Sequence, residues 1–281
     1  MKAKIYVSSS TSLEQVQHSY SISVIPDIIE INGEVYEDAK QISPESFCVR
    51  LKFEDNPNVK IYHKQYEELK ALYKQAKTQG YTDVLYLLSP YEYDMEMDLI
   101  KLQNEFKDDS IIIYKASVCS YLLGMIALEA DKQLRLQLPM NKVIDMIERM
   151  SLERNSGIRI FKQGEDEGVT PFTLDLLNTR SIGDSYVWTN GQFIMIGKPS
   201  KKRNSLENPF RTFIKTYFEY TEGMNLTPVI LYSFRNSVYL DYFRETIKTI
   251  YPKLRTIKEI ALAPRIELDI NYGLGITYLC K

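Results

Sequence analysis

The chain has 281 residues, of which 44% are hydrophobic and 26% are charged, as is typical of a folded globular protein with a sizeable core. Its formal net charge is −2, so no overall field attracts nucleic acid or an anionic membrane surface. The longest apolar run, from 121 to 128, is too short to span a bilayer. We therefore expect no nucleic-acid partner and no stable membrane insertion.

The first half of the sequence alternates short apolar strands with amphipathic helices. Strands are predicted at 5–7, 21–26, 84–88 and 111–114. A helix start is predicted at Ser43, and apolar stripes with helical spacing lie within 69–80, 95–106 and 143–150. This alternation predicts an α/β fold in which a mainly parallel sheet is flanked by helices.

A polar stretch from 151 to 157 predicts a boundary between two α/β lobes, one of residues 1–155 and one of residues 156–281. The second lobe is expected to contain, in order, a strand at 158–161, a hairpin at 186–196, a helix at 209–220, a strand at 228–234, a helix at 239–250 and a strand at 257–262. The tail from 266 to 278 is expected to be β-like.

The cysteines and glycines give no indication of a metal or a cofactor. Cys48, Cys119 and Cys280 form no CxxC pattern, which disfavours a zinc site or a disulfide framework and predicts reduced thiols in a cytoplasm. The segment 191–198 has one residue too many for a phosphate loop, and Pro199 follows it where Ser or Thr would hold magnesium. We therefore expect no cofactor.

The best candidate site is the hydroxyl run from Ser8 to Ser12, which directly follows the first strand. Open α/β sheets bind ligands at the carboxyl ends of their strands. Ser89 follows the strand at 84–88, and Ser120 opens the helix after the strand at 111–114. Three strand ends with hydroxyls suit a neutral or anionic head group. A helix N-cap is the competing interpretation of the run.

Catalysis is not expected from this sequence. The two histidines, His18 and His63, have no carboxylate partner placed by any motif, and no Gly-x-Ser-x-Gly nucleophile elbow is present. An enzyme acting through the Ser8–Ser12 run would need a base beside these hydroxyls.

The order of motifs resembles the DegV family, bacterial proteins that bind a long-chain fatty acid. Residues 8–12 correspond to the family's Thr-Asp-Ser-Thr-Ser, residues 33–38 to its Gly-Glu-x-Tyr-x-Asp, and residues 124–130 to a Gly-rich apolar helix. The resemblance implies a two-lobe fold with the acyl chain in a tunnel between the lobes. It also implies a fatty acid kinase as a partner, since some members present the acid to such a kinase.

The resemblance assigns the ligand's head group to Ser10, Thr11, Tyr62, Ser89, Ser120 and Asp269. Tyr62 lies where a threonine motif of the family falls, and Asp269 replaces the histidine near its C-terminus. Glu165 replaces an arginine. Asp269 or Glu165 facing a carboxylate would repel it unless one group is protonated. Two other functions stay open, namely an enzyme for small acyl or phosphoester substrates and a scaffold whose pocket is vestigial.

Overall fold

The computed structural model describes residues 2–54, 57–107, 110–152, 156–162, 184–189, 192–197, 226–234, 237–252, 257–270 and 273–280. The chain divides into two compact units. The first contains residues 1–155 together with 263–265, and the second contains residues 156–262 together with 266–281.

The strands of the first unit are β1 (Ala3–Ser8), β2 (Ile22–Ile25), β3 (Ile28–Ile31), β4 (Glu34–Glu37), β5 (Val59–Tyr62), β6 (Asp83–Leu88) and β7 (Ser110–Lys115). Its helices are α1 (Pro44–Phe53), α2 (Tyr66–Thr78), α3 (Glu96–Glu105), α4 (Ser120–Arg135) and α5 (Met140–Met150).

The main sheet of the first unit has the strand order β2-β1-β6-β7, and every neighbouring pair is parallel. All six residues of β1 are buried, as expected for an inner strand of a parallel sheet that is covered on both faces. This sheet and its helices confirm the predicted α/β fold. The carboxyl ends of β1, β6 and β7 therefore lie along one edge.

Helices α2 and α3 form one core with the main sheet. Leu69 and Tyr73 of α2 and Leu99 of α3 are almost fully buried, and they pack in one cluster with Tyr6 and Tyr86 of the sheet. The apolar stripes predicted from the sequence are thus the faces that this core buries. Burial of each such side chain contributes about 1.5–3 kcal/mol to folding.

Two local signals set the limits of the helices. Ser43 caps α1, since its side chain accepts a hydrogen bond from the backbone N–H of Ser46 at 3.1 Å. Gly80 ends α2 with a φ of 81°, a conformation that glycine adopts without steric cost. The backbone N–H of Tyr81 then donates to the carbonyl of Ala76, which turns the chain into β6.

The segment of the chain between β2 and α2 forms a small antiparallel sheet of order β4-β3-β5. Its own core contains Ile29, Ile31 and Phe47, all completely buried. The end of β5 leads directly into His63, and the start of β3 follows Asp27. This small sheet therefore positions two residues of the candidate site.

The second unit contains β8 (Ser156–Lys162), β9 (Asp184–Thr189), β10 (Gln192–Gly197), β11 (Leu226–Tyr232), β12 (Lys258–Ala261) and β13 (Gly273–Cys280), with helix α6 (Ser237–Ile250). The first two residues of helix α7 (Pro264–Ile270) are assigned to the first unit and the remaining ones to the second. The strand order is β10-β9-β8-β13-β11-β12, and only the pair β11–β12 is parallel. The predicted hairpin is present as β9 and β10. The predicted helix at 209–220 lies outside the described residues.

The tail differs from the expectation of a β-like segment from 266 onward. Residues 264–270 form α7, and only residues 273–280 form the strand β13. Pro264 occupies the first helical position, where its fixed φ suits a helix and its missing N–H costs no hydrogen bond. Ile266 in the helix and Ile276 in the strand are both buried, so the burial expected of apolar residues did not distinguish the two kinds of element.

We expect Leu99→Ala to lower the free energy of unfolding by about 2–5 kcal/mol, because it opens a cavity in the core cluster of the first unit. Leu136→Ala is the matched control, since that side chain is 68% exposed and its truncation should change stability by about 0.5 kcal/mol or less. Urea denaturation of both variants measures the difference. Equal losses in the two variants would contradict the described core.

Candidate functional site

The hydroxyl run forms a tight 3₁₀ turn at the carboxyl end of β1. The Ser8 side chain caps this turn by accepting from the backbone N–H of Ser10 at 3.2 Å, and the Thr11 hydroxyl donates to the Ser8 carbonyl at 2.7 Å. Ser12 closes the turn with a φ of 53°. All five side chains from Ser8 to Ser12 are buried, the most exposed at 4%. The turn is thus both a cap and a buried polar cluster.

A carboxylate from the next strand's turn lies among these hydroxyls. Glu92 belongs to the 3₁₀ turn Pro90–Met95 after β6 and is only 1% exposed. Its Oε1 accepts from the hydroxyls of Ser8 and Ser10, each at 2.7 Å. Its Oε2 accepts from the backbone N–H of Ser89, which forms a capping box. Glu92 therefore joins the carboxyl ends of β1 and β6.

Two more carboxyl groups, those of Asp27 and Asp38, lie at Ser9 of the turn. The Ser9 hydroxyl accepts from the backbone N–H of Asp27 at 3.0 Å and hydrogen-bonds the Asp38 carboxyl. Burial raises the pKa of Asp38 to about 7 against the opposing effect of the Ser9 bond, and the charge of Asp27 adds to the rise. Burial also raises the pKa of Glu14 to about 8, with a contribution from the Asp38 charge.

His63 and Arg265 provide the positive charges of this cluster. His63 Nδ1 lies 3.1 Å from Asp27 Oδ1, and Arg265 Nε lies 3.0 Å from Asp27 Oδ2. His63 Nε2 contacts both the Tyr91 carbonyl and Asp94 Oδ1 at 2.9 Å. Burial lowers the pKa of His63, but the hydrogen bond and charge of Asp27 outweigh it and raise the pKa above the usual value. This geometry suits an imidazolium that donates from both nitrogens.

Ser120 differs from the other hydroxyl residues at this edge. It is the first residue of α4, it is completely buried, and its φ is 55° in the left-handed region. Within the described part of the structure, its Oγ has no hydrogen-bond partner. Helix α4 packs against the hydroxyl turn, since a Cβ on Gly124 would lie 3.2 Å from the Thr11 carbonyl oxygen.

The residues assigned from the sequence fall into two groups. Ser10 and Ser89 are brought together through Glu92, and Thr11 and Ser120 lie in the turn and in the helix that packs against it. Tyr62 lies apart on β5, where it is 42% exposed and its hydroxyl donates to Glu30 Oε2 at 2.9 Å.

Asp269 and Glu165 belong to the part of the sequence assigned to the second unit. Asp269 is an exposed residue of α7. Glu165 lies outside the described residues, so its assignment stays a prediction.

Sequence reasoning did not find the carboxylates of this site or the partners of His63. Glu92 carried one readable signal, the Ser-x-x-Glu spacing of a capping box from Ser89. Asp27 and Arg265 carried none, since they are 238 positions apart and only the fold brings them together.

Neither a metal-binding cluster nor a membrane-spanning helix is found among the described residues. Among the residues that the structure describes, no group of three or more His, Cys, Asp or Glu side chains is placed to hold a metal ion. In the same residues, no helix has both the length and the apolar character needed to cross a bilayer.

The fold and the hydroxyl turn define an α/β protein of two units that has polar side chains at the carboxyl ends of its parallel strands. Residues 2–158, more than half of the chain, match the sequence model described as "uncharacterised protein, DegV family". The chain therefore belongs to the DegV family. No curated protein matches it in sequence.

Solved structures with the same fold cover all of this chain. A fatty-acid-binding DegV family protein from Streptococcus agalactiae has a TM-score of 0.78 at 16% identity over 99% of its own chain. A DegV family protein from Thermus thermophilus, described by its fatty acid binding, has a TM-score of 0.77 at 15% identity over its full length. The Streptococcus pneumoniae fatty acid kinase B3 protein, loaded with linoleic acid, has a TM-score of 0.72 at 12% identity over its full length.

The free energy of unfolding is expected to fall as the pH rises from about 5 to about 8, because three groups have higher pKa values in the folded state than in the unfolded chain. Glu14 and Asp38 have raised pKa values and are ionised at lower pH when unfolded, so the folded state binds more protons within this window. His63 acts in the same direction, since its raised pKa gives stability that is lost as the pH passes through that value. One such group changes the free energy of unfolding by at most about 1.4 kcal/mol per pH unit.

Glu14→Gln removes one of these groups, so the variant should lose less stability across the window and should exceed the wild type near pH 8. Urea denaturation at both ends of the window measures this effect. Glu67→Gln, at an exposed position of α2, is the matched control and should follow the wild type. A Glu14→Gln profile as steep as that of the wild type would refute the assignment.

Proposed function

We propose that this protein binds a long-chain fatty acid without reacting with it, and that the polar end of the acid lies at the carboxyl edge of the main sheet. Membership of the DegV family supports this, together with the shared fold of the proteins from Streptococcus agalactiae and Thermus thermophilus that are described as binding fatty acids. Burial of an acyl chain contributes about 0.8 kcal/mol per methylene, which supplies most of the affinity.

The proposed position of the head group rests mainly on the buried hydroxyl of Ser120. A buried hydroxyl without a partner costs about 1–3 kcal/mol, and a left-handed backbone at a residue other than glycine adds a cost of similar size. Both costs fall on one residue, at the sheet edge to which the sequence resemblance assigns the head group. A ligand oxygen that accepts from Ser120 would remove the first cost.

The absence of catalysis is supported by the arrangement of His63. Its two nitrogens contact Asp27 on one side and the Tyr91 carbonyl with Asp94 on the other. Neither nitrogen is placed by these contacts to activate a serine of the hydroxyl turn as a general base would.

Two further parts of the proposal concern the partner and the compartment. The match to the pneumococcal fatty acid kinase B3 protein supports a fatty acid kinase as the partner that receives the bound acid. The buried thiols Cys48 and Cys119 suit a reducing cytoplasm.

One observation favours a second candidate, a scaffold whose pocket is vestigial. Glu92 already occupies the hydroxyls of Ser8 and Ser10 that would otherwise face a head group. The two candidates differ in uptake of ligand, because a vestigial pocket would show no saturable binding of a fluorescent fatty acid by the delipidated protein.

We expect Ser120→Ala to weaken fatty acid binding about fivefold to tenfold, the effect of one neutral hydrogen bond of about 1 kcal/mol. The same variant should be at least as stable as the wild type without ligand, because it deletes a buried hydroxyl that has no described partner. Fluorescence titration and urea denaturation measure the two effects. Ser110→Ala, at an exposed position of β7, is the control that should change neither.

We expect no steady turnover of esters, phosphoesters or nucleotides by the purified protein. Substrate panels assayed with wild type and Ser10→Ala test this expectation. Turnover that is lost in Ser10→Ala would replace the binding proposal with an enzyme.

A further inference from the structure

The protons of the hydroxyl turn are committed to acceptors within the chain. A serine or threonine hydroxyl has one proton to donate. Ser8 and Ser10 contact each other and Glu92 Oε1, all at 2.7 Å, so both protons stay within this cluster whichever serine donates to the other. Thr11 donates to the Ser8 carbonyl, and Ser9 hydrogen-bonds the Asp38 carboxyl. These four hydroxyls therefore offer oxygen lone pairs rather than donors.

The charges around the turn point in the same direction. Glu92 brings a nearly fully buried carboxylate to the hydroxyls of Ser8 and Ser10. Asp38 adds little negative charge near neutral pH, because burial raises its pKa to about 7. The cations His63 and Arg265 both contact Asp27 and balance its charge, and Arg265 keeps a buried Nη2 that has no hydrogen-bond partner among the described residues. No lysine, arginine or histidine contact to Glu92 is found among the described residues. An ionised head group would thus enter beside a like charge, which disfavours it.

We infer that the head-group site of this protein selects a neutral head group that donates a hydrogen bond, such as a primary amide, an alcohol or an un-ionised carboxylic acid, and that Glu92 is the residue that determines this specificity. The inference rests on the proposed function, because it assumes that the polar end of an acyl ligand reaches the hydroxyl turn. Glu92 acts here as the acceptor for the ligand's donor and as the charge that excludes a carboxylate.

Two probes with the same chain separate these head groups. A saturated medium-chain fatty acid and its primary amide are titrated into delipidated protein at a pH well above the pKa of the acid in water. The wild type should bind the amide about tenfold or more tightly than the ionised acid, the size expected for one like-charge contact. Glu92→Gln should bind the ionised acid about tenfold more tightly than the wild type does.

Glu67→Gln is the matched control, because it removes the same charge from an exposed position, and it should leave both affinities unchanged. Circular dichroism and thermal melting check that Glu92→Gln is folded. Should that variant fail to fold, the comparison of the two probes on the wild type still decides whether the site prefers a neutral head group.

The outcomes distinguish the inference from the proposed function. Wild type that binds the ionised acid as tightly as the amide, or more tightly, overturns the selection by Glu92 and leaves the fatty acid proposal in place. Wild type that binds neither probe overturns the proposed function, and the inference with it. Preference for the amide that persists in a folded Glu92→Gln protein assigns the selection to another residue and overturns the role of Glu92.

Discussion

A buried carboxylate has to be surrounded by hydrogen-bond donors, since its dehydration costs several kcal/mol that attraction or hydrogen bonding must offset. Glu92 meets this requirement with two hydroxyls from the end of β1 and one backbone N–H at the end of β6. The arrangement is possible only because adjacent parallel strands deliver their carboxyl ends to the same edge. The position of the hydroxyl turn, and with it the candidate site, depends on this contact.

The same contact changes what the turn can bind. A hydroxyl that already donates its one proton to a hydrogen bond can only accept from a further partner. Glu92 accepts the hydrogen bonds of Ser8 and Ser10, so an anionic ligand would have to compete with this carboxylate for the same two donors. Family membership therefore describes the fold, whereas we infer that the chemistry of the head group depends on Glu92.

Much of the first unit could be predicted from the sequence because its signals are local. The alternation of β1, β6 and β7 with α2 and α3 follows from apolar periodicity, and the start of α1 follows from Ser43. The structure of the tail was harder to predict, because the segment is short and its apolar residues Ile266 and Ile276 are buried in a helix and in a strand alike. The length of an apolar run distinguishes a helix from a strand only when the run is long.

The candidate site was less predictable because its partners are distant in sequence. The hydroxyl turn could be located from its run of Ser and Thr after a strand, but the Glu92 contacts span 82 and 84 positions. His63 shows the same limit, since its carboxylate partner Asp27 lies 36 positions away in another strand connection. A motif search looks for fixed local spacing, and such pairs have none.

Ser120 combines a buried hydroxyl that has no described partner with an unfavourable backbone conformation. Native structures leave few buried polar groups without partners, and those that persist at a residue with an unfavourable backbone tend to mark functional sites. Ser120 opens α4, which packs on the hydroxyl turn, so its Oγ remains an available donor beside a turn whose own donors are committed. A neutral amide or acid head has both a donor and an acceptor. It could donate toward Glu92 and accept from Ser120, whereas a carboxylate could use only the second.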